Sequence, residues 1–481
     1  MTFAVAVGGT FAHEPSREDV AKALVKATRF MHGQISDHGG YGWVSSVDGK
    51  FREGEGVCAP GTIWVQPPGT PAVGMAFLDA HDATGDVEHL RAAEDCAMAL
   101  VKGQLRSGGW NYRIEFDEAK RKEFNYRDGG VETVTTPSPG GWDVWRKRQY
   151  KGNITTLDDD TTQAATRFLM RMDQKLKFAD KKIHNAAEYA LASLLMAQYP
   201  NGGWSHNYDR FPSSQPSETH YPIKLASYPE SWSRTWTKDF TGCYMLNDRT
   251  TQNVIATMLA AYRVYGEKKY LQSAERGGKF LMLAQMPEPQ PAWAQQYNRD
   301  MQPVWDRKFE PPAITGLESQ DAVETLLKLY RESGNKAHLD PVPKALAYLK
   351  KCELPGGKLA RFYELKTNKP LYFTKDYQLT YDGSDVPTHY GFTFNSRVDA
   401  LDKEYRRLLD TKPEDLKKES IARPSADAVR KIIEALDKNS AWTEPGTVRS
   451  PDGKKTTPKE GVIPSATFIK NVGMLSRYLR S

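Results

Sequence analysis

The sequence predicts an all-α fold, an α/α toroid (incomplete α/α barrel) of helical hairpins, with short β-hairpins and long loops at one end. Three observations point there. Apolar residues recur at helical spacing in paired blocks, several pairs lead to a Gln and a Gly- or Ala-containing aromatic turn, and two pairs open with an acidic mouth. Helix pairs repeating at this scale read as stacked hairpins.

Thr155 to Trp204 is the most complete copy. It opens Thr155-Thr156-Leu157-Asp158-Asp159-Asp160-Thr161-Thr162 and continues with Ala164, Ala165, Phe168, Leu169 and Met172, the one-sided spacing of an amphipathic helix. Ala187, Ala190, Leu191, Leu194 and Leu195 form a second such face, which Pro200 and Gly202-Gly203 end ahead of Trp204. Antiparallel helices bring these two loops to the same end, so the acidic mouth should face the Trp loop. Gln34 with Gly39 to Trp43, Gln104 with Gly108-Gly109-Trp110, and Gln285 with Pro291-Ala292-Trp293 are further copies. Gly356-Gly357 before Leu359-Ala360-Arg361 is a worn one, and Leu246-Asn247-Asp248-Arg249-Thr250-Thr251-Gln252 echoes the acidic mouth. Helix-end and turn chemistry alone would account for the Gln and Gly-Gly pairs.

In chain order, Val20 to Met31, Pro71 to Ala83 and Leu90 to Leu105 are the first predicted helices. Asp117 to Asn153 and Ser205 to Met245 lack periodicity and are long for loops in a compact body. The second carries Tyr208, Tyr221, Tyr228, Trp232, Trp236 and Tyr244, which would either stack on sugar rings or cover helix ends. Arg361 to Phe373 alternates and turns at Asn368 to Pro370, the pattern of a β-hairpin. Helical spacing resumes over Ser396 to Leu409, Ala426 to Leu436 and Ala466 to Leu479. The organisation expected is a tail over 1–15, N-terminal hairpins over 16–150, a core over 151–395 and closing helices over 396–481.

Composition excludes several functions. A hydrophobic content of 39% in 481 residues suffices for a large core, yet no run approaches the ~18 apolar residues of a membrane span. Lys and Arg number 66 against 60 Asp and Glu, a net charge of +6 with no basic block and no nucleic-acid motif. An acidic polymer is permitted by that balance rather than demanded. Cys58, Cys96, Cys243 and Cys352 show no metal-ligand spacing. Met1 to His13 is rich in small residues without a basic start, so it is either the remnant of a secretory signal or a frayed terminus. The former would make the protein secreted or periplasmic, and a monomer is expected.

Thr156-Leu157-Asp158, Ala197 to Trp204, Asn247-Asp248, Arg307 to Glu310 and Arg361 to Pro370 occur in this order. They resemble the Thr-Ile-Asp-Asn, Tyr-Pro-Asn-Gly-Gly-Trp, Asn-Asp-Asp-Ala, Ala-Arg-Ala-Tyr-Glu and Ala-Arg-Phe-Tyr-Asp-Leu-Glu-Thr-Asn-Arg-Pro blocks of the family 10 polysaccharide lyases, the pectate lyases. The resemblance spans roughly residues 155 to 395. It implies calcium-assisted β-elimination on an acidic polysaccharide such as polygalacturonate.

Eliminating across C4–C5 of a uronate removes a weakly acidic C5 proton, so charge developing on the carboxylate must be absorbed by preorganised positive groups. Calcium takes oxygen ligands, which Asp and Asn supply. Asp158 matches the family's calcium-binding Asp, Asp248 another acid of the cleft, and Asp160 is an added candidate ligand. Asp159 is a further acid there, and the run Asp158-Asp159-Asp160 could instead only cap a helix. Arg361 and Arg307 match arginines that grip the substrate carboxylate, although either could pair structurally with Glu364 or Glu310. Trp204, Asn201, His206 and Tyr363 are the remaining expected substrate contacts. The family's proton-abstracting Arg falls at Lys375, followed by Asp376, and its Arg-Arg pair is replaced by Asp385-Val386-Pro387-Thr388-His389-Tyr390. A Lys base, reference pKa near ~10.4, would need depressing by burial against Tyr372, Phe373 and Tyr377 and by nearby cations. Other classes stay open: a terpene-cyclase-like toroid, an α/α-toroid glycoside hydrolase, or a non-catalytic glycan-binding relative.

Overall fold

Helix boundaries follow local start and stop signals. Ser16, Asp180 and Ser425 accept from backbone N–H groups at the N-termini of Arg17–Phe30, Lys181–Met196 and Ala426–Glu434. Gly85, Gly266 and Gly334, all left-handed, end Thr70–Thr84, Thr250–Tyr265 and Gly316–Ser333. The computed structural model describes residues 14–127, 151–212, 214–238, 240–418 and 422–481. Met1 to His13, expected as a signal remnant or a frayed terminus, and residues 128–150 of the first long loop lie outside these. The described residues carry α1 (Arg17–Phe30), α2 (Thr70–Thr84), α3 (Val87–Gly103), α4 (Glu118–Arg121), α5 (Thr161–Lys175), α6 (Lys181–Met196) and α7 (Thr250–Tyr265). They continue with α8 (Lys268–Ala284), α9 (Gly316–Ser333), α10 (Val342–Lys351), α11 (Val398–Asp410), α12 (Ala426–Glu434) and α13 (Ser465–Arg480). The fold is of the predicted α/α-toroid class, helical hairpins with few and short antiparallel strands.

The chain forms two compact units. One consists of Met1–Trp64, Pro68–Ala99 and Ser420–Ser481. In it α13 packs on α2 and α1, and Val44–Ser46 pairs antiparallel with both Val462–Pro464 and Arg52–Glu53. Ser465 Oγ donates to the Gly42 carbonyl at 2.8 Å, and the Phe77 and Phe468 rings meet at 5.4 Å. The two ends of the sequence therefore share one core.

The other unit is Val65–Pro67 with Leu100–Glu419. Here α5, α7 and α9 are successive neighbours, and α6, α8 and α10 pack on them as hairpin partners. A four-stranded antiparallel sheet runs Leu379–Thr380, Pro370–Phe373, Phe362–Glu364, Ala313–Thr315, with Phe362 opposite Leu371 in register. This is the hairpin predicted from alternation. Its apolar face packs with Trp305, Phe309 and Phe392.

The repeated Gln and Trp residues hold the hairpins together. Gln104 Nε2 donates to the Gly108 and Ala186 carbonyls at 2.9 and 2.8 Å. Gln198 donates to Gly202 and Ser273 at 2.9 and 3.0 Å, and Gln285 to Pro291 and Pro341 at 3.0 and 2.9 Å. Each amide ties its own turn to a carbonyl of the next hairpin. The indoles repeat as well: Trp110 donates to Leu100, Trp204 to Leu194, Trp293 to Leu281, all at 2.7 to 2.9 Å. All three are fully buried, each removing on the order of 200 Å² from water, roughly 5 kcal/mol at ~25 cal/mol per Å². Gly202 is obligatory: its φ is +96°, and a Cβ there would lie 1.9 Å from the Arg276 carbonyl oxygen.

Candidate functional site

The acidic mouths form two matching turns. Leu157 to Thr161 and Leu246 to Thr250 each pass through a short 3-10 segment before α5 and α7 begin. In each, two successive non-glycine residues are left-handed: Asp159 and Asp160 at φ 50° and 61°, Asp248 and Arg249 at 48° and 61°. Such residues cost about 1–2 kcal/mol apiece, and strain of this kind collects at functional sites. The turns pack against each other. Strand Thr155–Thr156 pairs with Asn207–Tyr208, and Leu157 N–H donates to the His206 carbonyl at 2.7 Å, so the first mouth does face the chain leaving the Trp loop.

Asp158, Asp159 and Asp248 converge, one ligand atom of each lying within 4.8 Å of the others. Tyr112 Oη donates to Asp158 Oδ2 at 2.9 Å, and Gln66 Nε2 to Asp159 Oδ2 at 2.7 Å. Asp158 Oδ1 is buried without a hydrogen bond among the described residues, 3.7 Å from His206 Nε2. Arg307 Nη2 lies 3.5 Å from Asp248 Oδ2 and Arg361 Nη2 4.0 Å from its Oδ1. Burial pushes the Asp248 carboxyl well up, and the neighbouring Asp158 and Asp159 charges push it further. Burial works the same way on Asp158, yet His206, Tyr112 and Arg307 outweigh it and hold that carboxyl down. Three all-oxygen donors, one with a buried unsatisfied oxygen, fit a hard divalent cation such as calcium.

Both arginines are held from behind by buried acids. Glu310, fully buried, accepts from Arg307 Nε and Nη2 at 2.8 and 2.6 Å, from Asn247 Nδ2 at 3.1 Å and from Tyr390 Oη at 2.8 Å. Glu318 accepts from Arg361 Nη2 at 3.2 Å and from Gln295 at 2.9 Å. The Arg361 guanidinium carbon also sits 4.1 Å from the Tyr390 ring centroid. Arg307 thus makes the Glu310 pair that its spacing allowed, whereas Arg361 pairs with Glu318 rather than Glu364. Glu364 is instead held by Arg234, Thr367 and Tyr381. Asp306, beside Arg307 in sequence, is pushed up to about 6 by burial and by Glu310.

Several expected site residues stand elsewhere. Asp160 is not in the cluster: two left-handed residues break the helical spacing, turning it onto Arg167, and Asp159 takes its place. Trp204 is a core residue bonded through its indole to Leu194. Asn201 is buried and accepts from Gly203 N–H at 3.1 Å, closing its own turn. Tyr363 is buried, donating to the Cys352 carbonyl at 2.7 Å and accepting from Ala360 N–H at 2.9 Å. Of the four expected substrate contacts besides the arginines, His206 alone borders the acids.

Lys375 needs the largest correction. Thr374 and Gln378 close a tight turn between Pro370–Phe373 and Leu379–Thr380, and Lys375 lies on that turn with its side chain 65% exposed. Phe373 and Tyr377 pack inward on the Trp305 and Phe309 cluster, leaving the lysine outside. Its amine pairs with Asp385 at 2.8 Å, a hydrogen bond that raises its pKa instead of lowering it. It is not a buried neutral base.

The aromatics of the second long loop chiefly cover. Tyr208, Tyr221 and Tyr244 are buried, and the Tyr199 ring packs edge-on to Tyr221 and Tyr244 at 4.7 and 5.1 Å. Trp236 donates to the Asp306 carbonyl at 2.8 Å. Residues missed by sequence reasoning include Asp159, Gln66, Tyr112, Gln295, Glu318 and Tyr390. Alignment of the two mouths would have found Asp159, since it occupies the place of Asp248; the others carry no local pattern.

No family model matches the chain, and no curated protein does either. Solved structures with a similar arrangement include a family 10 polysaccharide lyase from Cellvibrio cellulosa, 15% identical, covering 69% of this chain and 97% of its own, TM-score 0.42. A cellobiose 2-epimerase from Spirochaeta thermophila is 13% identical over 96% of each chain, TM-score 0.47. A GH76 alpha-mannanase from Bacteroides thetaiotaomicron is 10% identical over 97% of this chain and 96% of its own, TM-score 0.43. At that level the likenesses distinguish none of these chemistries from another.

Proposed function

We propose that this protein is a carbohydrate-active enzyme that cleaves a uronate-containing polysaccharide of the polygalacturonate kind by calcium-assisted β-elimination. The observation that carries the reading is the convergence of Asp158, Asp159 and Asp248 with the Arg307 and Arg361 guanidiniums at one site. Carboxylates bind the cation and guanidiniums bind the sugar carboxylate, and an anionic substrate needs both. A calcium ion there would add positive charge where the uronate carboxylate gains electron density. Arg361 and Arg307, fixed by Glu318 and Glu310, orient that carboxylate without reorganising during the reaction. With Lys375 outside the site, His206, whose Nε2 lies 3.7 Å from Asp158 Oδ1, is the imidazole bordering the acids, a side chain type used as a general base, and the proton-accepting step is assigned to it. A polymeric substrate implies action outside the cytoplasm.

One observation favours a second reading. Asp306, protonated up to about pH 6, is suited to a general acid of glycoside hydrolysis. Incubation with polygalacturonate and calcium separates the two. Elimination produces the ultraviolet absorbance of an unsaturated uronide, lost with chelator and regained with calcium. New reducing ends without that absorbance would mean hydrolysis.

A further inference from the structure

Beyond the acidic turns, the inner helices α5, α7 and α9 frame a cavity of about 290 Å³ lined by Arg167, Arg249, Gln252, Arg263, Glu324 and Lys328 among others. That volume holds on the order of ten waters, or one small organic anion. Arg167 on α5, Arg263 on α7, Lys328 on α9 and Arg249 on the turn leading into α7 face it against one carboxylate. The three arginines are held by neighbouring side chains. Arg167 donates to Thr257 Oγ1 at 2.9 Å and to Asp160, Arg249 pairs with Asp321 and Glu324 at 3.3 and 3.1 Å, and Arg263 pairs with Glu332 at 2.8 Å. Glu324 is held by Arg249 and Arg397.

Two groups lining this cavity are left unsatisfied. Gln252 is 2% exposed, and neither its Nε2 nor its Oε1 has a hydrogen-bond partner among the described residues. Buried side-chain amides are otherwise almost always bonded. Lys328 forms no ion pair among the described residues, and burial followed by the Arg263, Arg167 and Arg331 charges lowers its pKa. An ammonium whose charged neighbours are mainly positive, with Glu332 the one opposing acid named among them, shares this cavity with an amide that has a spare donor, and the pair lacks an anion.

We propose that this cavity binds a small oxyanion, a carboxylate or phosphate group, with Lys328 and the Gln252 amide as its direct donors and Arg167, Arg249 and Arg263 as the surrounding positive field. The chemistry is shared by a free sugar acid and by inorganic phosphate. The cavity is lined by one set of residues and the uronate-gripping arginines by another, so this inference stands apart from the lyase reading.

The test is calorimetric titration of the full chain, in chelator and without any divalent metal, with inorganic phosphate in one arm and D-galacturonate in the other. Saturable binding of one anion per chain in either arm is expected, identifying the source by which arm responds. Lys328→Gln and Gln252→Leu should each weaken it tenfold or more, while Lys344→Gln, an exposed lysine on α10, leaves it unchanged. Circular dichroism melts of each variant show that the fold is retained. Absence of saturable binding in both arms would overturn the proposal. So would binding that the Lys328→Gln protein keeps at wild-type strength, or that Lys344→Gln weakens equally.

Discussion

Arg361 donates to Glu318 and to the Gly391 carbonyl, both at 3.2 Å, while lying over Tyr390. A lysine reaches one of these partners and cannot present a fork to a sugar carboxylate. Arg361→Lys should therefore lose most activity on polygalacturonate, and leaving Glu318, 1% exposed, short of a donor should cost about 1–3 kcal/mol of stability. Activity and urea unfolding near wild type would show that the guanidinium fork is dispensable. Lys375→Ala carries the opposite expectation: an exposed turn residue paired with Asp385 should leave both cleavage rate and melting temperature unchanged. A variant that binds oligouronate without cutting it would put the base back at the hairpin turn. Sequence offset pointed to Lys375 but could not show that the intervening hairpin carries it outward. Asp159 was within reach of the sequence, since it stands where Asp248 does when the two mouths are aligned, and the left-handed backbone shared by the two positions shows why that register holds.

At the scale of elements, most of the fold was legible. The predicted helices begin and end within a few residues of α1, α2, α3, α11, α12 and α13, because capping and apolar spacing are local signals. The Gln-to-aromatic turns were legible as repeats, and their role follows from bonds between neighbouring hairpins that no single segment contains. Gln198→Leu should cost about 1–3 kcal/mol in denaturant unfolding, since the buried Gly202 and Ser273 carbonyls each lose a donor, with metal binding unaltered. Wild-type stability would reduce the repeat to a sequence accident. A second device joins three helices: Asp173 on α5 accepts from His184 on α6 and from Tyr265 on α7, at 2.8 and 2.9 Å. The Asp173 hydrogen bond raises the His184 pKa. A raised native pKa stabilises most below the unfolded value of about 6.5, and the contribution fades as pH climbs through the native one. His184→Gln should accordingly lose more stability at pH 5.5 than at pH 9, by less than about 1 kcal/mol because the ring is partly exposed. Equal losses at both pH values would mean that the contact is neutral.

At the scale of the whole molecule, the sequence leads to closing helices expected over 396–481, whereas the compact unit that unites N- and C-terminal segments takes up the chain again at Ser420. Contacts such as Val44 with Pro464 span most of the sequence and leave no trace in composition. The acidic site has the same character, since its carboxylates, Asp158 and Asp159 on one side and Asp248 on the other, come from two hairpins far apart in the sequence. Whether those carboxylates act as one cation site is decided by calorimetric titration of calcium into the metal-free chain, compared with Asp158→Ala and Asp248→Ala. One calcium per wild-type chain is expected, with stability raised by about 2.7 kcal/mol at a hundredfold excess over Kd. Both variants should stay folded and lose that binding. Calcium that fails to bind the wild type, or binds both variants as tightly, would contradict the account.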